Sequence, residues 1–262
     1  MREITSILKD IFGDSSESDT ENESNSNQRP PSGSNDDDDP FQSTFRRTLT
    51  WDPVTDINGL WICRDFLSPE QQSFLLLAIQ NEGWFNEASH NQAMRFGDLP
   101  TWATELSDSI SEAVHFSEHG PDSLECTTSV DNEDACNIFP PNLMWREPLF
   151  DQLIVNVYQP GEGISAHVDL MRFDDGIAII SLESSCIMHF TKVKDKSEED
   201  LKGKKHPVYL NPGSLVLMWG EARYHWTHEI NRKPGFQELM GKEIEQRRRT
   251  SVTLRKLLCQ IE

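Results

Sequence analysis

Apolar residues recur every three or four positions in two segments of the first half of the chain, which is the period of an α-helix. The first segment begins with Ser-Pro-Glu-Gln at residues 68–71, where serine and glutamine suit a capping box and proline suits the first turn. It continues to Gly83, which predicts a helix over residues 68–82. The second segment follows Thr101 and predicts another packing helix through apolar residues spaced four apart: Trp102, Leu106, Ile110 and Val114.

After Asp151 the period shortens and β-prone runs alternate with glycine, proline and acidic turns. Helices followed by a series of strands predict an α+β protein, with antiparallel strands closed into a double-stranded β-helix, or jelly-roll barrel. The charged segment 192–205 is expected to form an exposed hairpin loop between two of these strands. The runs themselves are LIVNVY, GIAIISLES, CIMHFTKV, HPVYL, SLVLMWG and TSVTLRKL.

The N-terminal part of the chain has a different composition from the rest. Residues 14–40 are rich in serine, asparagine and acidic side chains and contain almost nothing apolar to bury, which predicts disorder. We therefore expect a disordered acidic tail over residues 1–50 and a folded domain over residues 51–262. The first residues either form a short amphipathic docking helix or remain unstructured, and the apolar positions in question are Ile4, Ile7, Leu8, Ile11 and Phe12.

Charge limits how the protein can meet a nucleic acid. The formal net charge is −20, and residues 1–50 hold 11 acidic against 5 basic residues, which leaves 33 against 19 in the remainder. The folded domain is therefore near −14, a charge that repels phosphate at long range and disfavours non-specific binding to duplexes. Any contact with nucleic acid has to be local.

Cysteines and hydropathy indicate the cellular setting. The 5 cysteines include no CxxC pair, so neither a disulfide framework nor a cysteine zinc site is indicated, and reduced, mostly buried thiols are expected. The chain shows no apolar run of about 18 residues and no secretory signal. We expect a soluble intracellular monomer, in the cytoplasm, the nucleus or both, without membrane association.

One group of residues suggests a metal site. His167 and Asp169 lie two apart in an extended segment, so their side chains point to the same face and can meet one cation. His228, in a later β-prone segment, supplies a second imidazole. Two histidines and one carboxylate on strands are typical of the non-haem Fe(II) oxygenases, where three coordination positions stay open for a co-substrate and O2. A zinc hydrolase with the same ligands remains an alternative.

Two strands carry polar residues on one face only. Asn156 and Tyr158 alternate with valines, and in the C-terminal strand four polar residues alternate with Thr250, Val252 and Leu254. Those four are Arg249, Ser251, Thr253 and Arg255. Such a strand is either an edge strand facing water or, beside a His/Asp/His set, a site where guanidinium groups bind a dicarboxylate.

The segments NVYQPGEGISAHVD, GEARYHWTHEI and RRRTSVTLR together resemble the signature of the AlkB family. That signature runs Asn-x-Tyr-x-x-Gly, HxD, a distal histidine and Arg-x5-Arg, in this order and at similar separations. The resemblance covers about residues 60–258. Within the family the chain is most similar to the branch with the oxygenase domain that modifies wobble uridines in tRNA, and to small plant and fungal relatives.

The resemblance implies a site and its cofactors. It assigns Fe(II), and with it the catalytic centre, to His167, Asp169 and His228. It assigns 2-oxoglutarate to Asn156, Tyr158, Arg249 and Arg255, with Arg249 at the distal carboxylate and Arg255 nearer the metal; O2 is the co-substrate. Where the family often has glycine after the distal histidine, this chain has Glu229, which is expected to point outward. His225 would lie on the opposite strand face from His228, so His228 is the predicted ligand.

The segment ahead of the barrel forms a lid over the substrate in this family, and residues 91–97 occupy that position. Its polar and aromatic groups suit hydrogen bonding and stacking on an extruded base. An ordinary loop whose Met94 and Phe96 cover the core is the alternative. The predicted substrate-side residues are Gln92, Arg95, Phe96, Met171, Arg172 and Arg223.

The implied function is oxidation of a C–H bond in a modified base of nucleic acid, more in keeping with RNA such as tRNA than with duplex DNA. Hydroxylation of an N-methyl carbon releases formaldehyde and demethylates the base, whereas a carbon-bound group keeps the hydroxyl; the sequence does not choose between them. A protein side-chain hydroxylase or demethylase is the main alternative, because an acidic surface suits a basic protein. A non-catalytic binding module is disfavoured, since every metal and co-substrate position is present.

The composition of the tail generates a first testable prediction. Deletion of residues 1–45 should leave the melting temperature within about a degree or two of the full chain, because no core contact is removed. Thermal unfolding of both proteins measures this, and a large decrease would mean that the apolar start docks on the folded domain.

Overall fold

The structure is a computed structural model that describes residues 49–87, 89–119, 137–193, 204–232 and 237–258. The predicted acidic tail, its apolar start and most of the charged segment 192–205 lie outside these ranges.

The described residues form four helices and thirteen strands. The helices are α1 (Pro69–Asn81), α2 (Thr101–His119), α3 (Pro141–Met144) and α4 (Gly220–Tyr224). The strands of the first half are β1 (Trp51–Pro53), β2 (Leu60–Cys63) and β3 (Gln92–Phe96). The later strands are β4 (Gln152–Tyr158), β5 (Ile164–His167), β6 (Ile177–Leu182), β7 (Cys186–Lys192), β8 (Lys205–Leu210), β9 (Leu215–Met218), β10 (Trp226–Ile230), β11 (Glu238–Leu239), β12 (Lys242–Glu243) and β13 (Arg249–Arg255).

Both predicted helices are present. At the start of α1 the Ser68 hydroxyl accepts a hydrogen bond from the Gln71 backbone N–H at 3.2 Å, and the Gln71 side chain accepts from the Ser68 N–H at 2.8 Å. This reciprocal pair satisfies two backbone donors that the first helical turn leaves unpaired. α2 begins at the predicted Thr101 and continues to His119, one turn beyond its last predicted apolar residue.

Two antiparallel sheets make up most of the domain. The larger has seven strands in the order β1-β2-β9-β6-β13-β4-β3, and the smaller has four in the order β5-β10-β7-β8. β13 lies between β6 and β4, so the strand with two arginines is central and the edge-strand alternative is wrong. β7 and β8 pair antiparallel at both ends of the charged segment, as the hairpin prediction requires.

Two apolar layers hold these elements together. One packs α1 and α2 against one face of the seven-stranded sheet, through residues such as Leu75, Leu106 and Val252. The other fills the space between the two sheets, with Ile179 from the larger sheet and Phe190 and Ile230 from the smaller one. The result is a helix layer, a large sheet and a small sheet, which agrees with the predicted α+β class.

Residues 91–97 differ from the predicted lid loop, because Gln92–Phe96 form β3 at the outer edge of the seven-stranded sheet. Gln92 lies opposite Asn156 and Phe96 opposite Gln152 in the antiparallel pairing with β4. Gln, Ala, Met and Arg have no strong strand preference, so here the pairing with a buried neighbour decides the conformation. The segment nevertheless borders the strand that carries Asn156.

Two expectations drawn from composition concern the described residues directly. None of the described helices combines the length and the apolar character needed to cross a membrane. Cys63 and Cys186 are buried, as expected, whereas Cys126, Cys136 and Cys259 lie outside the described residues.

The capping box of α1 generates a prediction about stability. Ser68→Ala should lower the free energy of unfolding by about 1 kcal/mol, because the Gln71 N–H loses its acceptor. Ser73→Ala is the matched control, since the Ser73 hydroxyl is exposed and donates only to the Pro69 carbonyl of the same helix. Urea unfolding of the three proteins measures the difference, and equal midpoints for Ser68→Ala and the unaltered protein would contradict the capping role.

Candidate metal and co-substrate site

The pairing of β5 with β10 brings the two predicted histidine ligands together. His167, the last residue of β5, lies directly opposite His228 in the antiparallel register. Gly163, just before β5, makes this approach possible, because a Cβ atom there would lie 2.2 Å from the Ile230 carbonyl oxygen. The register shifts between His228 and Ile230, since two residues of β10 but three of β5 separate the pair His228–His167 from the pair Ile230–Ile164.

Asp169 completes a compact group of three possible ligands. One ligand atom from each of His167, Asp169 and His228 lies within 4.8 Å of the other two. The two imidazole ring centroids are 4.3 Å apart, and the His228 Nε2 is 3.6 Å from the Asp169 Oδ2. A cation between these atoms would contact all three side chains.

The orientation of both imidazoles suits metal binding. The His167 Nδ1 lies 2.9 Å from the Ser165 carbonyl oxygen, which can only accept, so Nδ1 carries a hydrogen and Nε2 is the nitrogen left for a metal. Burial lowers the pKa of His228 to about 4, against the opposing effect of Asp169. His228 is therefore neutral at neutral pH, and its approach to Asp169 is that of two ligands rather than of an ion pair. Two imidazoles and a carboxylate fit Fe(II).

Arg255 holds the carboxylate of this group. Its Nη2 lies 2.9 Å from the Asp169 Oδ1, and both side chains are largely buried. The Arg255 guanidinium also lies 4.7 Å from the centre of the Phe173 ring. Asp169 thus has one oxygen on Arg255 and the other facing His228, which fixes the carboxylate orientation.

Arg249, at the other end of β13, has an unsatisfied buried guanidinium. Its Nε donates to the Ser181 hydroxyl at 3.0 Å, and its Nη2 is buried without a hydrogen-bond partner among the described residues. A buried charge with an unused donor is costly unless an anion meets it, and a carboxylate is the group that guanidinium binds best. This end of β13 therefore fits one carboxylate of 2-oxoglutarate.

Three further side chains surround Arg249. Its guanidinium lies 5.5 Å from the centre of the Tyr158 ring, and the Tyr158 and Ser251 hydroxyls are hydrogen-bonded. Burial raises the pKa of Tyr158, so the phenol keeps its proton and can donate. Burial likewise raises the pKa of the Cys186 thiol on β7, which leaves an uncharged wall on the small-sheet side. Arg249 thus supplies the positive charge at this end.

The predicted co-substrate residue Asn156 is tied to β3. The Gln92 Nε2 donates to the Asn156 Oδ1 at 2.6 Å, across the β3–β4 pair. Gln92, predicted on the substrate side, thus contacts a residue of the co-substrate site and lies on the same face of β3 as Phe96. A polar cleft of about 420 Å³ opens beside this pair and is also lined by Tyr158, Glu162 and Arg232.

The register of β3 with β4 shows which of the other predicted substrate residues face the site. Phe96 is paired with Gln152, whose strand face carries Asn156 and Tyr158, and it is 47% exposed. The Arg172 guanidinium lies 5.4 Å from the Phe96 ring and 4.9 Å from the Phe173 ring. Met171, next to Arg172, is 60% exposed. Phe96, Met171 and Arg172 therefore border the site.

Arg95 points away from the site, which corrects its predicted place. It is paired with Leu153, whose side chain belongs to the helix-side core, and its guanidinium lies 4.4 Å from the Trp84 ring. Successive residues of a strand face opposite sides, so Arg95 and Phe96 cannot both face the metal group. The prediction placed both there because it treated the segment as a loop.

Arg223 was also expected to face a substrate, and the structure places it elsewhere. The residue is only 1% exposed, and its guanidinium donates to the carbonyl oxygens of Asp169, Leu170 and Phe173. A side chain so buried and so bonded supports the segment after Asp169 and is not available to a substrate. The sequence indicated correctly that Arg223 lies beside the metal group, but the prediction that it faces a substrate is wrong.

The remaining histidines near these strands lie outside the metal group. His225 is exposed at the C-terminal end of α4, three residues before His228. Glu229 pairs with Lys205 on β8, on the outward side of β10, as expected. His206 lies 3.2 Å from Asp56 and packs edge-on against Trp226, and His189 is opposite Glu229.

The chain matches the 2OG-Fe(II) oxygenase superfamily over residues 59–255, and this range includes every strand of the two sheets except β1 and every residue of the proposed metal and co-substrate site. The protein therefore belongs to the 2OG-Fe(II) oxygenase superfamily, and it is a 2-oxoglutarate-dependent dioxygenase. The predicted cofactors, Fe(II), 2-oxoglutarate and O2, are confirmed by this membership, which also excludes the zinc hydrolase alternative.

Individual relatives point to the AlkB-like part of this superfamily, and a solved structure shares the fold. The chain is 29% identical over 203 residues to the uncharacterized protein L905 of Acanthamoeba polyphaga mimivirus, a match that covers 77% of this chain and 86% of that protein. It is 32% identical over 176 residues to tRNA (carboxymethyluridine(34)-5-O)-methyltransferase alkbh8 of Xenopus tropicalis, covering 66% of this chain but only 25% of that protein. The solved structure of OsALKBH1 superposes with a TM-score of 0.51 at 14% identity, over 76% of this chain and 97% of that one, and shares the fold.

Several supporting residues have no signal in the sequence. Ser181 and Cys186 lie next to Arg249 only because strands distant along the chain pair or pack together, and Asp175 meets Gly220 through the approach of α4 to the segment after Asp169. The alternation of β6 does place Ser181 on the face opposite Ile180, which is the one pattern that would have suggested it.

The choice between His228 and His225 generates a prediction. Anaerobic protein with Fe(II) and 2-oxoglutarate should show the weak visible charge-transfer band of the chelate, and His228→Ala should abolish it because a buried ligand is lost. His225→Ala is the matched control and should keep the band, since that imidazole is exposed outside the group. Absorbance titration decides, and the reverse pattern would overturn the ligand assignment.

Proposed function

We propose that this oxygenase hydroxylates or oxidatively demethylates a modified base in nucleic acid, and that its substrate is RNA, such as tRNA, rather than duplex DNA. The observation that carries the proposal is the exposed aromatic and cationic pair Phe96 and Arg172 on the rim of the metal group. We further propose that the two sheets form the double-stranded β-helix typical of such enzymes.

In this proposal His167, Asp169 and His228 hold the iron. When bound, Fe(II) together with 2-oxoglutarate and O2 supplies the oxidation of a substrate C–H bond, with 2-oxoglutarate converted to succinate and CO2. Arg255 keeps the Asp169 carboxylate oriented and partly compensates its charge, since their contact is 2.9 Å. The apolar layer around Phe190 and Ile230 keeps water from the inner side of the group.

The other end of the site holds the co-substrate. Arg249 would meet the distal carboxylate with the Nη2 donor that is otherwise unpaired. Tyr158, kept protonated by burial, supplies a hydroxyl, and Asn156 supplies an amide that Gln92 orients. The positive charge of Arg249 and the polar groups of Tyr158 and Asn156 would thus be in place before 2-oxoglutarate binds, which reduces the reorganisation that binding requires.

The outer rim suits the flat face of a base. Phe96 presents an exposed ring, and Arg172 lies 5.4 Å from its centre. The Phe173 ring lies near both Arg172 and Arg255, and Arg255 contacts the ligand Asp169. Aromatic rings and guanidinium planes stack on unpaired bases whatever their sequence. Met94 and Met171 add exposed apolar surface on the same rim. A base extruded from a single strand would therefore reach the metal group between these side chains.

Charge favours a single-stranded or locally opened substrate over a duplex. A domain near −14 offers few cations for the regular phosphates of a duplex, whereas one or two arginines suffice to contact phosphates beside an extruded base. The name of the frog relative describes action on a tRNA uridine, which supports RNA as the substrate, although this chain spans a quarter of that protein. Carbon-bound groups would be hydroxylated and N-methyl groups removed as formaldehyde.

The direct test is succinate formation with defined substrates. We expect turnover with tRNA or short methylated single-stranded RNA, less with the same base in duplex DNA, and a salt slope of about one to three phosphates. Histone and ribosomal-protein peptides serve as the comparison, because a protein hydroxylase or demethylase would use them. Turnover stimulated by peptides alone, with RNA neither bound nor oxidised at low salt, would overturn the nucleic-acid proposal and leave the oxygenase assignment intact.

Rim variants sharpen the same assay. Phe96→Ala and Arg172→Gln should each raise the KM for RNA by about tenfold, because a stacking surface is lost, while the KM for 2-oxoglutarate stays unchanged. Arg95→Gln is the matched control, since Arg95 is an exposed arginine on the opposite face of the same strand. An effect of Arg95→Gln equal to that of Arg172→Gln would contradict the proposed rim.

A further inference from the structure

Arg223 is a buried arginine whose bonds all converge on the segment that follows a proposed metal ligand. Its Nη1 donates to the Asp169 carbonyl at 3.0 Å, and its Nη2 donates to the Leu170 carbonyl at 2.9 Å and the Phe173 carbonyl at 3.1 Å. Only 1% of the residue is exposed. The guanidinium therefore gathers three carbonyl groups of one turn around a single side chain.

Asp175 makes the reciprocal connection. Its carboxylate accepts from the Gly220 N–H, the first residue of α4, at 2.8 and 3.1 Å through its two oxygens. Arg223 lies on the same helix. The segment from Asp169 to Asp175 and the helix α4 are thus joined at both ends, by an arginine from one side and an aspartate from the other.

These two connections link the segments that carry different ligands. Asp169 begins the first segment, and α4 ends two residues before β10, in which His228 is the third residue. The β5–β10 pairing fixes His167 against His228, but it does not reach Asp169, which lies beyond the end of β5. Arg255 holds the Asp169 carboxylate, and Arg223 and Asp175 constrain the backbone of the segment that begins at Asp169.

The bonding pattern requires a guanidinium rather than a simple positive charge. Two nitrogen atoms on a rigid plane reach three carbonyl oxygens that belong to different residues. A lysine ammonium is a single point and cannot occupy both positions. The guanidinium of this buried cation donates to backbone carbonyls, and its Nε has no partner among the described residues, so its burial costs free energy.

We infer that Arg223 and Asp175 are positioning residues that fix Asp169 relative to His228 and so preorganise the metal site. The inference rests on the proposed role of His167, Asp169 and His228 as ligands. Arg223 itself touches neither the ligand atoms nor the substrate side. It acts through the backbone of Asp169 and through the start of α4.

The test measures the binding of metal alone. Mn(II) is titrated into metal-free protein, and free Mn(II) is followed by electron paramagnetic resonance. Arg223→Lys should weaken Mn(II) binding by about tenfold, and Arg223→Gln by at least as much, as is usual when a group that orients a ligand is lost. Asp175→Ala should weaken binding in the same direction by a smaller factor, and it serves if the Arg223 variants do not fold.

Controls separate positioning from general stability. Leu106→Ala removes a fully buried side chain from the helix-side core, so it should lower the melting temperature while leaving the Mn(II) affinity unchanged. Arg64→Lys alters another arginine that bonds a backbone carbonyl, that of Tyr209, and should also leave the affinity unchanged.

The outcomes distinguish the inference from the function on which it rests. Affinities of folded Arg223→Lys and Asp175→Ala within about twofold of the unaltered protein would overturn the positioning role. Mn(II) binding that survives His228→Ala, or fails in the unaltered protein, would overturn the metal site itself and the inference with it. Weak binding in the Arg223 variants, with unchanged binding in both controls, supports the inference.

Discussion

The antiparallel pairing of β5 with β10 is the constraint on which the site depends. It sets His167 opposite His228 in neighbouring strands, a separation that no loop would hold as closely. The pairing in turn needs Gly163, because any side chain there would collide with the Ile230 carbonyl. β10 is also paired with β7 on its other edge, so His228 is held from both sides and rests near Phe190.

The seven-stranded sheet forms the opposite wall of the site, because alternate residues of its strands point to opposite faces. Along β13, Val252 and Leu254 pack toward the helices, whereas Arg249 and Arg255 face the space between the sheets. Burying two guanidinium groups in one strand costs free energy unless each meets a partner. Arg255 meets Asp169, and Arg249 retains an unpaired donor. Arg249 is thus a buried cation without a carboxylate partner among the described residues, at the position where a carboxylate of the co-substrate would compensate its charge.

Much of this arrangement could be predicted from the sequence, because alternation along a strand determines which residues share a face. This alternation alone places Arg249 and Arg255 on one face of β13 and Val252 and Leu254 on the other. The group of His167, Asp169 and His228 could be predicted from the types and order of its residues. Membership of the superfamily then agrees with the predicted cofactors.

Two residues, Arg95 and Arg223, were misplaced for a common physical reason. Whether either of them faces a substrate depends on contacts between segments distant along the chain, which local patterns do not encode. Arg95 required the register of β3 against β4, and Arg223 required the approach of α4 to the turn after Asp169. An arginine in a polar stretch is ordinarily exposed. Arg223 can be buried because its guanidinium donates to three backbone carbonyls, which only the folded structure brings together.

The hydrogen bond from Gln92 to Asn156 joins the outermost strand of the large sheet to its interior. β3 has four exposed side chains out of five and a partner on one edge only, so it can open locally at a smaller free energy than the strands between which β13 lies. Each such opening removes the group that orients Asn156 while the core stays folded. By reciprocity, a molecule that holds Asn156 in its present orientation also holds the edge of the sheet closed. Binding of a molecule against Asn156 and local opening of β3 are therefore coupled, and each changes the equilibrium of the other.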